Sequence, residues 1–167
     1  MADKGGLMSR LRVPFRMHQS GMLLAALCVL IGIRIGGWQL GLPTGILLIA
    51  SLLFHELGHM SMAALLKVPV REFGLKLSGA YVKRERSSRR SNEILIAAAG
   101  PLMNLLVVFP LIFVPHLGPR LATCNLLLGL TNLLPLPSSD GLRILRNLSG
   151  LIVTGDAIHA MSSAQPH

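Results

Sequence analysis

The apolar residues of this chain are gathered into four long runs, which short polar or basic stretches separate. A helix needs roughly 20 mainly apolar residues to cross the hydrocarbon core of a bilayer, and the runs reach or approach this length. They predict membrane spans at about residues 21–41, 44–66, 94–114 and 121–136. The pattern therefore favours an all-α polytopic membrane protein with about four transmembrane helices.

The stretch between the second and third predicted spans has a different pattern. Apolar residues alternate with small or polar ones along residues 73–78, and Ser78-Gly79 suits a turn before Tyr81. Alternation over a short segment, followed by a turn and a second short segment, is typical of a β-hairpin. We predict a short membrane-associated β-hairpin here, with a solvated loop of chance alternation as the alternative.

Two prolines interrupt the chain after the fourth predicted span. Pro135 and Pro137 stand two residues apart, so regular helix cannot continue through them. Irregular backbone at membrane depth needs protein or a water-filled cavity around it. A further helix is expected to begin near Asp140, with apolar residues at helical spacing, and to lie along the membrane face or pack against the bundle.

Composition and charge agree with a membrane protein. Of the 167 residues, 51% are hydrophobic and 14% are charged, and the mean hydropathy is +0.60. The formal net charge of +9 would suit a nucleic-acid-binding protein, but the positions of the charges argue against that class. If the N-terminus is cytoplasmic, all 16 Lys and Arg residues except Arg34 and Arg120 lie on the cytoplasmic side of the predicted spans. This distribution follows the positive-inside rule. We therefore predict no nucleic acid partner.

The two cysteines, Cys28 and Cys124, both fall within apolar spans. A disulfide has no evident structural role there, so we interpret them as small buried side chains.

The second span carries the most informative motif, His55-Glu56-Leu57-Gly58-His59. Residues four apart share one face of a helix, so both histidines can hold one metal ion while Glu56 reaches a water on the ion's open side. An acidic or basic side chain at membrane depth costs roughly 2.5–3.5 kcal/mol on insertion scales. A cost of that size argues that these side chains are used.

A catalytic zinc site takes three protein ligands and leaves one position open, so one more ligand is needed. Asp140 is the preferred candidate, because it lies at the inner end of its span, as the two histidines do. The alternative is that Asp140 only caps the following helix. Weaker candidates are spread along the chain: His18, Glu72, Glu85, Glu93, Asp156, His159 and His167.

Three motifs occur in a fixed order: HELGH, then Ala99-Gly100-Pro101-x-x-Asn104, then Asn132-x-x-Pro135-x-Pro137-x-x-Asp140-Gly141. Together they resemble the site-2 protease family of intramembrane zinc metalloproteases, over about residues 45–145. The chain is similar to the compact core of the sporulation-protease type. It departs from the family pattern at Ser139, where an apolar residue is usual, and at Leu142, where a second Gly is frequent.

The resemblance implies a role for each motif position. One Zn²⁺ per chain would be bound by His55, His59 and Asp140, and Glu56 would be the catalytic base. The positions implied to support the site or hold the substrate backbone are Gly100, Asn104, Asn132 and Pro135. The chain would divide into a basic cytoplasmic lead-in at residues 1–19, an intramembrane metalloprotease domain at residues 20–146 and an amphipathic tail at residues 147–167.

The function that follows is zinc-dependent intramembrane cleavage of single-span substrates, within or beside their membrane helix. The expected partners are a membrane-protein substrate, the lipid bilayer and either a regulatory membrane protein or a second copy of the chain. The expected location is a bacterial cytoplasmic membrane, with the N-terminus and the mouth of the site on the cytoplasmic side. Two alternatives are a metal-binding or metal-transport membrane protein and an inactive relative that escorts membrane proteins.

Overall fold

The structure is a computed structural model that describes residues 13–116 and 118–150. The elements, in chain order, are β1 (Phe15–Met17), α1 (Gln19–Leu65), β2 (Val70–Lys76), β3 (Gly79–Arg84), α2 (Arg90–Ile112) and α3 (Gly118–Leu133). Residues 140–150 form a further helical segment, α4. The predicted, mainly helical fold is confirmed. A helix does begin at Asp140, and the part of the predicted tail after residue 150 lies outside the described residues.

Helix α1 consists of two arms that meet at Gly37. The φ angle of Gly37 is +67°, a left-handed conformation that costs glycine little, and it breaks the helix between the arms Gln19–Arg34 and Gly41–Leu65. The arms pack closely, since a Cβ atom on Gly45 would lie 2.5 Å from the Cα atom of Val29. The first two predicted spans are therefore two closely packed helices that are joined at Gly37.

Two helical stretches are long and apolar enough to cross a membrane: Gly41–Leu65 and Arg90–Ile112. They correspond to the second and third predicted spans. The first arm of α1 is apolar but shorter, because the chain breaks at Gly37, and α3 has 16 residues. The prediction of about four transmembrane helices is therefore not confirmed in the described part of the chain.

Three strands form a small sheet in the order β1-β2-β3. Strand β1 precedes α1 in the sequence, and β2 and β3 lie between α1 and α2. Strands β2 and β3 pair antiparallel, with Phe73 opposite Val82, which confirms the predicted hairpin. Strand β1 pairs parallel to β2, with Phe15 opposite Phe73. The sequence does not predict β1, because a strand of three residues carries too little alternation to be recognised.

Small residues allow the helices to approach one another around the middle of the molecule. A Cβ atom on Gly58 would lie 2.4 Å from the carbonyl oxygen of Ala99, so α1 and α2 touch through their backbones. Helix α3 is tied to α1 by a hydrogen bond of 2.9 Å from the Asn125 amide to Ser51 Oγ. Both cysteines are free thiols, Cys28 buried and Cys124 half-buried.

Candidate metal centre

Three buried side chains from two distant parts of the chain meet at one point. His55 and His59 lie on the same face of α1, and Asp140 is the first residue of α4. Asp140 Oδ2 lies 3.0 Å from His55 Nε2 and 3.1 Å from His59 Nε2, and the two Nε2 atoms are 3.2 Å apart. All three residues are at most 6% exposed. The structure thus brings together the three predicted ligands.

These distances suit a single zinc ion. With zinc–nitrogen and zinc–oxygen bonds of about 2.0–2.2 Å, two ligands at tetrahedral angles lie about 3.3–3.6 Å apart. The three donor atoms are within a few tenths of an ångström of that spacing. They could hold one metal ion. The positive charge of the ion would also offset the repulsion between the lone pairs of the two nitrogens and the carboxylate oxygen.

His59 is held in the orientation that a metal ligand needs. Its Nδ1–H donates a hydrogen bond of 2.6 Å to the carbonyl oxygen of Ile96 on α2, which leaves the lone pair of Nε2 free for a cation. His55 has no such support, because its Nδ1 atom is buried without a partner among the described residues. The two histidines therefore differ in how firmly the protein orients them.

Asp140 owes its position to the break between α3 and α4. Ser139 Oγ donates to the carbonyl oxygens of Leu134 and Leu136 and accepts a hydrogen bond of 3.2 Å from the Leu142 N–H. Ser139 is therefore the N-cap of α4, a task that would otherwise occupy Asp140. The alternative that Asp140 only caps the helix is thus not supported, and the family departure at Ser139 has a structural reason.

The Asp140 carboxylate has a second neighbour besides the histidines. Its Oδ1 atom accepts a hydrogen bond of 3.4 Å from Arg143 Nη1, one turn further along α4. Burial alone would raise the pKa of Asp140, but the two imidazoles beside its Oδ2 atom hold that pKa well below its ordinary value. The carboxylate is therefore ionised and available as a ligand.

Gly100 on α2 faces the ligand nitrogens directly. A Cβ atom at this position would lie 2.4 Å from His59 Nε2 and 2.9 Å from His55 Nε2. No real Cβ contact is that short, so any other residue would occupy the space in which the ion and the imidazoles meet. The side of the site formed by α2 is open only because residue 100 is glycine.

The other predicted site residues lie at different places. Glu56 is half-buried next to His55 and makes no hydrogen bond with the described part of the chain. Asn104 is fully buried one turn beyond Gly100, and neither of its amide atoms has a partner among the described residues. Asn132 is half-buried and donates a hydrogen bond of 3.0 Å to the Leu128 carbonyl of its own helix, while Pro135 is exposed in the break.

The weaker candidate ligands that the structure describes are engaged elsewhere. His18 lies 3.0 Å from the Tyr81 hydroxyl, which itself donates to Glu72. Glu85 pairs with Arg71 at 2.6 Å, and Glu93 pairs with Arg84 at 2.7 Å. The remaining candidates lie outside the described residues: Asp156, His159 and His167.

Sequence reasoning missed two groups that position the site. The Ile96 carbonyl is a backbone atom and leaves no signal in a sequence. Ser139 could have been found, since a serine immediately before the first residue of a helix is a usual capping signal.

The known proteins that this chain resembles are zinc metalloproteases. Residues 44–119 match the model of Peptidase family M50. A candidate zinc metalloprotease of Synechocystis sp. is 33% identical over 122 residues, which make up 66% of this chain and 32% of that protein. The zinc metalloprotease MJ0392 of Methanocaldococcus jannaschii is 30% identical over 148 residues, which make up 80% of this chain and 42% of that protein.

A candidate zinc metalloprotease of Mycobacterium tuberculosis, Rip3, is 36% identical over 123 residues, or 65% of this chain and 31% of that protein. The chain thus spans about a third of the length of the Synechocystis and Mycobacterium tuberculosis relatives and 42% of the length of MJ0392. The fold matches the solved structure of the site-2 protease from Methanocaldococcus jannaschii with a TM-score of 0.68 and 26% identity, over 83% of this chain and 68% of that one. The zinc cofactor expected from the sequence agrees with these names and with the donor set of the centre.

Proposed function

Because this chain belongs to the site-2 protease family, which is the M50 family of zinc metalloproteases, we propose that it is a zinc-dependent intramembrane endopeptidase. The observation that carries the proposal is the buried centre of His55, His59 and Asp140, whose donor atoms lie 3.0–3.2 Å apart. Glu56, next to the first ligand on the same helix, supplies the acid–base group that hydrolysis needs.

In the proposed reaction His55, His59 and Asp140 bind one Zn²⁺. When bound, zinc would lower the pKa of a water molecule to about 7 and would polarise a carbonyl group. Glu56 takes a proton from water as the water oxygen bonds to the scissile carbonyl carbon. Glu56 then gives that proton to the amide nitrogen as the carbon–nitrogen bond breaks, so that one water is consumed for each peptide bond.

The roles of the neighbouring residues follow from their positions. The Ile96 carbonyl keeps the His59 ring in one orientation and one tautomer. Gly100 leaves the space beside both imidazoles empty for the ion. Asn104, buried with unused amide atoms, and Asn132 and Pro135, at the break beside α4, would support the site or contact the substrate backbone.

The apolar surface of the molecule supports a site within the membrane. Four large side chains form a stripe along α2 and the residue that follows it, and they are 52–71% exposed: Leu102, Leu106, Phe109 and Phe113. A stripe of this size is costly in water and suits lipid. We propose that the shorter helices, the first arm of α1 and α3, also cross the bilayer, with the basic loops on the cytoplasmic side. The substrates would be single-span membrane proteins.

Metal content and cleavage test the proposal together. Purified full-length protein is expected to hold about one zinc per chain. The variants His59→Ala and Asp140→Ala should lose it, whereas His18→Ala, which removes a histidine remote from the centre, should not. Glu56→Gln should keep the zinc but cleave no single-span substrate. Zinc retained equally in every variant would place the metal elsewhere and overturn the assignment.

The transport alternative would need charged ligands along a path through the bilayer. Among the described residues, the buried polar side chains beyond the centre are neutral except for Glu93, which is paired with Arg84, and Ser51 and Asn125 are hydrogen-bonded to each other. Among the described residues, only one group of His, Cys, Asp and Glu side chains could hold a metal ion. The structure therefore gives this alternative no specific support.

A further inference from the structure

A groove with a volume of about 950 Å³ lies between strand β3, the start of α2 and helix α4. Most of its charged lining is basic, with six cationic side chains against two carboxylates. The cationic residues are Lys83, Arg84, Arg86, Arg90, Arg143 and Arg146, and the acidic ones are Glu85 and Glu93. We call this the basic groove.

Both carboxylates of the basic groove are already neutralised. Glu93 is held by Arg84 through two hydrogen bonds of 2.7 and 2.8 Å, and both side chains are buried. Glu85 pairs at 2.6 Å with Arg71, which is not part of the groove lining.

Four of the six cations have no such partner, whereas Arg143 contacts Asp140. Lys83, Arg86, Arg90 and Arg146 form no ion pair within residues 13–116 and 118–150. Like charges that converge on one cleft raise its potential and concentrate anions there. The groove is therefore complementary to a ligand with several negative charges.

One wall of the basic groove is an edge of the sheet. The strand order is β1-β2-β3, so β3 pairs with one neighbour only, and its residues Val82, Lys83 and Arg84 line the groove. An extended peptide can add to such an edge through its backbone N–H and C=O groups, which a lipid headgroup does not have.

The opposite wall is α4, and its two faces differ. The groove is lined by Arg143, Arg146, Asn147 and Gly150, which share one side of the helix. Leu145 and Leu148 lie on the other side and are exposed. A bilayer surface would cover the leucine side, so the groove faces away from the lipid.

The basic groove also adjoins the metal centre. Arg143 lines the groove, and its Nη1 atom is 3.4 Å from Oδ1 of the ligand Asp140. A peptide lying in the groove along β3 would therefore pass close to the start of α4, where the third ligand lies.

We propose that the basic groove docks an acidic, extended segment of the substrate, adjacent to the bond that is cleaved. This inference rests on the proposed protease function and narrows its substrate class to single-span proteins with acidic residues beside the cytoplasmic end of their membrane helix. Most membrane proteins have basic cytoplasmic flanks, which the groove would repel. Charge alone would thus separate substrates from the majority of single-span proteins.

Binding is tested with the full-length Glu56→Gln protein in neutral detergent, so that no peptide is consumed. The probes are two short fluorescein-labelled peptides, identical except that four glutamates in one are glutamines in the other. Fluorescence anisotropy should show that the acidic peptide binds about tenfold more tightly, because four exposed ion pairs of about twofold each multiply to somewhat more than tenfold. The difference should shrink as salt is added.

Charge reversal in the groove should remove this preference. The double variant Arg86→Glu/Arg146→Glu is expected to bind both peptides about equally. A matched control is the double variant Lys67→Glu/Arg89→Glu, which makes the same total charge change at two positions outside the groove lining. Equal binding of both peptides by the unreversed protein would overturn the inference. The inference would also be overturned if binding to phosphatidylglycerol nanodiscs required Arg86 and Arg146 while binding of the acidic peptide did not. The groove would then be a lipid site.

Cleavage separates this inference from the proposed function. Single-span substrates with acidic, glutamine and lysine flanks are compared with wild-type protein and with the double variant. Wild-type protein should prefer the acidic flank, and the reversed groove should shift the preference to the lysine flank. If no flank is cleaved, the protease proposal fails while the binding result still decides the groove. If all flanks are cleaved alike, the protease stands and the groove inference is wrong.

Discussion

Replacing Gly100 by alanine adds one methyl group at the place where α2 meets the metal centre. The added Cβ atom would lie 2.4 Å from both Nε2 and Cε1 of His59 and 2.9 Å from Nε2 of His55. Normal contacts between these atoms are about 3.5–4.0 Å, so one side must move by about 1 Å.

Neither side can move freely. The His59 ring is buried and anchored by the hydrogen bond of 2.6 Å from its Nδ1–H to the Ile96 carbonyl. Helix α2 cannot withdraw alone, because the Ala99 carbonyl already packs against Gly58 of α1. A zinc site tolerates about 0.2 Å of error in its ligand distances, so a shift of this size separates the nitrogens from the ion.

The expected loss in zinc affinity is therefore at least about 100-fold, since disturbing only an outer partner of a ligand costs about 10–100-fold. Alanine is favoured over glycine within a helix by about 1 kcal/mol, so the backbone of α2 itself gains from the change. The variant should fold and lose its metal, which distinguishes a blocked site from a damaged helix.

The assay is zinc content after dialysis against increasing concentrations of chelator, with thermal unfolding of the metal-free protein as the measure of folding. Gly129→Ala is the matched control, because its Cβ would be 3.2 Å from the flexible Leu105 side chain and 3.2 Å from the Pro101 carbonyl oxygen, and no metal ligand is among its nearest atoms. The control should bind zinc as the unaltered chain does. If Gly100→Ala also binds one zinc with unchanged affinity, the assignment of this space to the metal is refuted.

Three further substitutions test the surroundings of the site. The hydrogen bond from Tyr81 lowers the pKa of Glu72 below its ordinary 4.5, so its stabilising effect is present above that value and is lost as the pH falls through the lowered pKa. Glu72→Gln should therefore reduce the thermal midpoint at neutral pH and show less further loss on acidification, and parallel profiles would contradict this. Ser139→Ala removes the cap of α4, which should lower the free energy of unfolding by about 1 kcal/mol and weaken zinc binding about tenfold. Unchanged zinc affinity would contradict a role of Ser139 in positioning Asp140. Arg84→Met leaves the Glu93 carboxylate buried and unpaired, at a cost of about 3–5 kcal/mol, and adding Glu93→Leu should recover most of it in thermal unfolding; no recovery would contradict the ion-pair explanation.

The parts of the fold that local patterns determine were predictable. The alternation in residues 73–78 was sufficient for the hairpin, because side chains on a strand alternate between two faces. The spacing of His55 and His59 was sufficient for their shared face on α1. Asp140 required a second argument, its depth relative to the membrane, and the structure places its Oδ2 atom 3.0 Å from His55 Nε2.

The parts that depend on distant contacts were not predictable from one sequence. Strand β1 forms because Phe15–Met17 pairs with the edge of β2, which lies more than 50 residues later in the sequence. The basic groove joins residues 82–93 to residues 143–150, and neither segment alone differs from an ordinary basic loop or helix. The length of the first span was overestimated, because hydropathy does not report the left-handed backbone of Gly37.

Helix α4 joins the two sites that the structure brings close together. It begins with the ligand Asp140 and continues with Arg143 and Arg146 in the wall of the basic groove. Fixing Asp140 on a metal ion fixes the start of this wall, and a peptide held by the wall restrains Asp140 in turn. Thermodynamic linkage makes such an effect reciprocal, so zinc must raise the affinity for the acidic peptide by the same factor by which the peptide raises the affinity for zinc. Two equal factors greater than one, measured by peptide titration with and without zinc and by zinc titration with and without peptide, would show that the groove and the metal centre are coupled, as their junction on α4 predicts. Factors of one would show that they act independently.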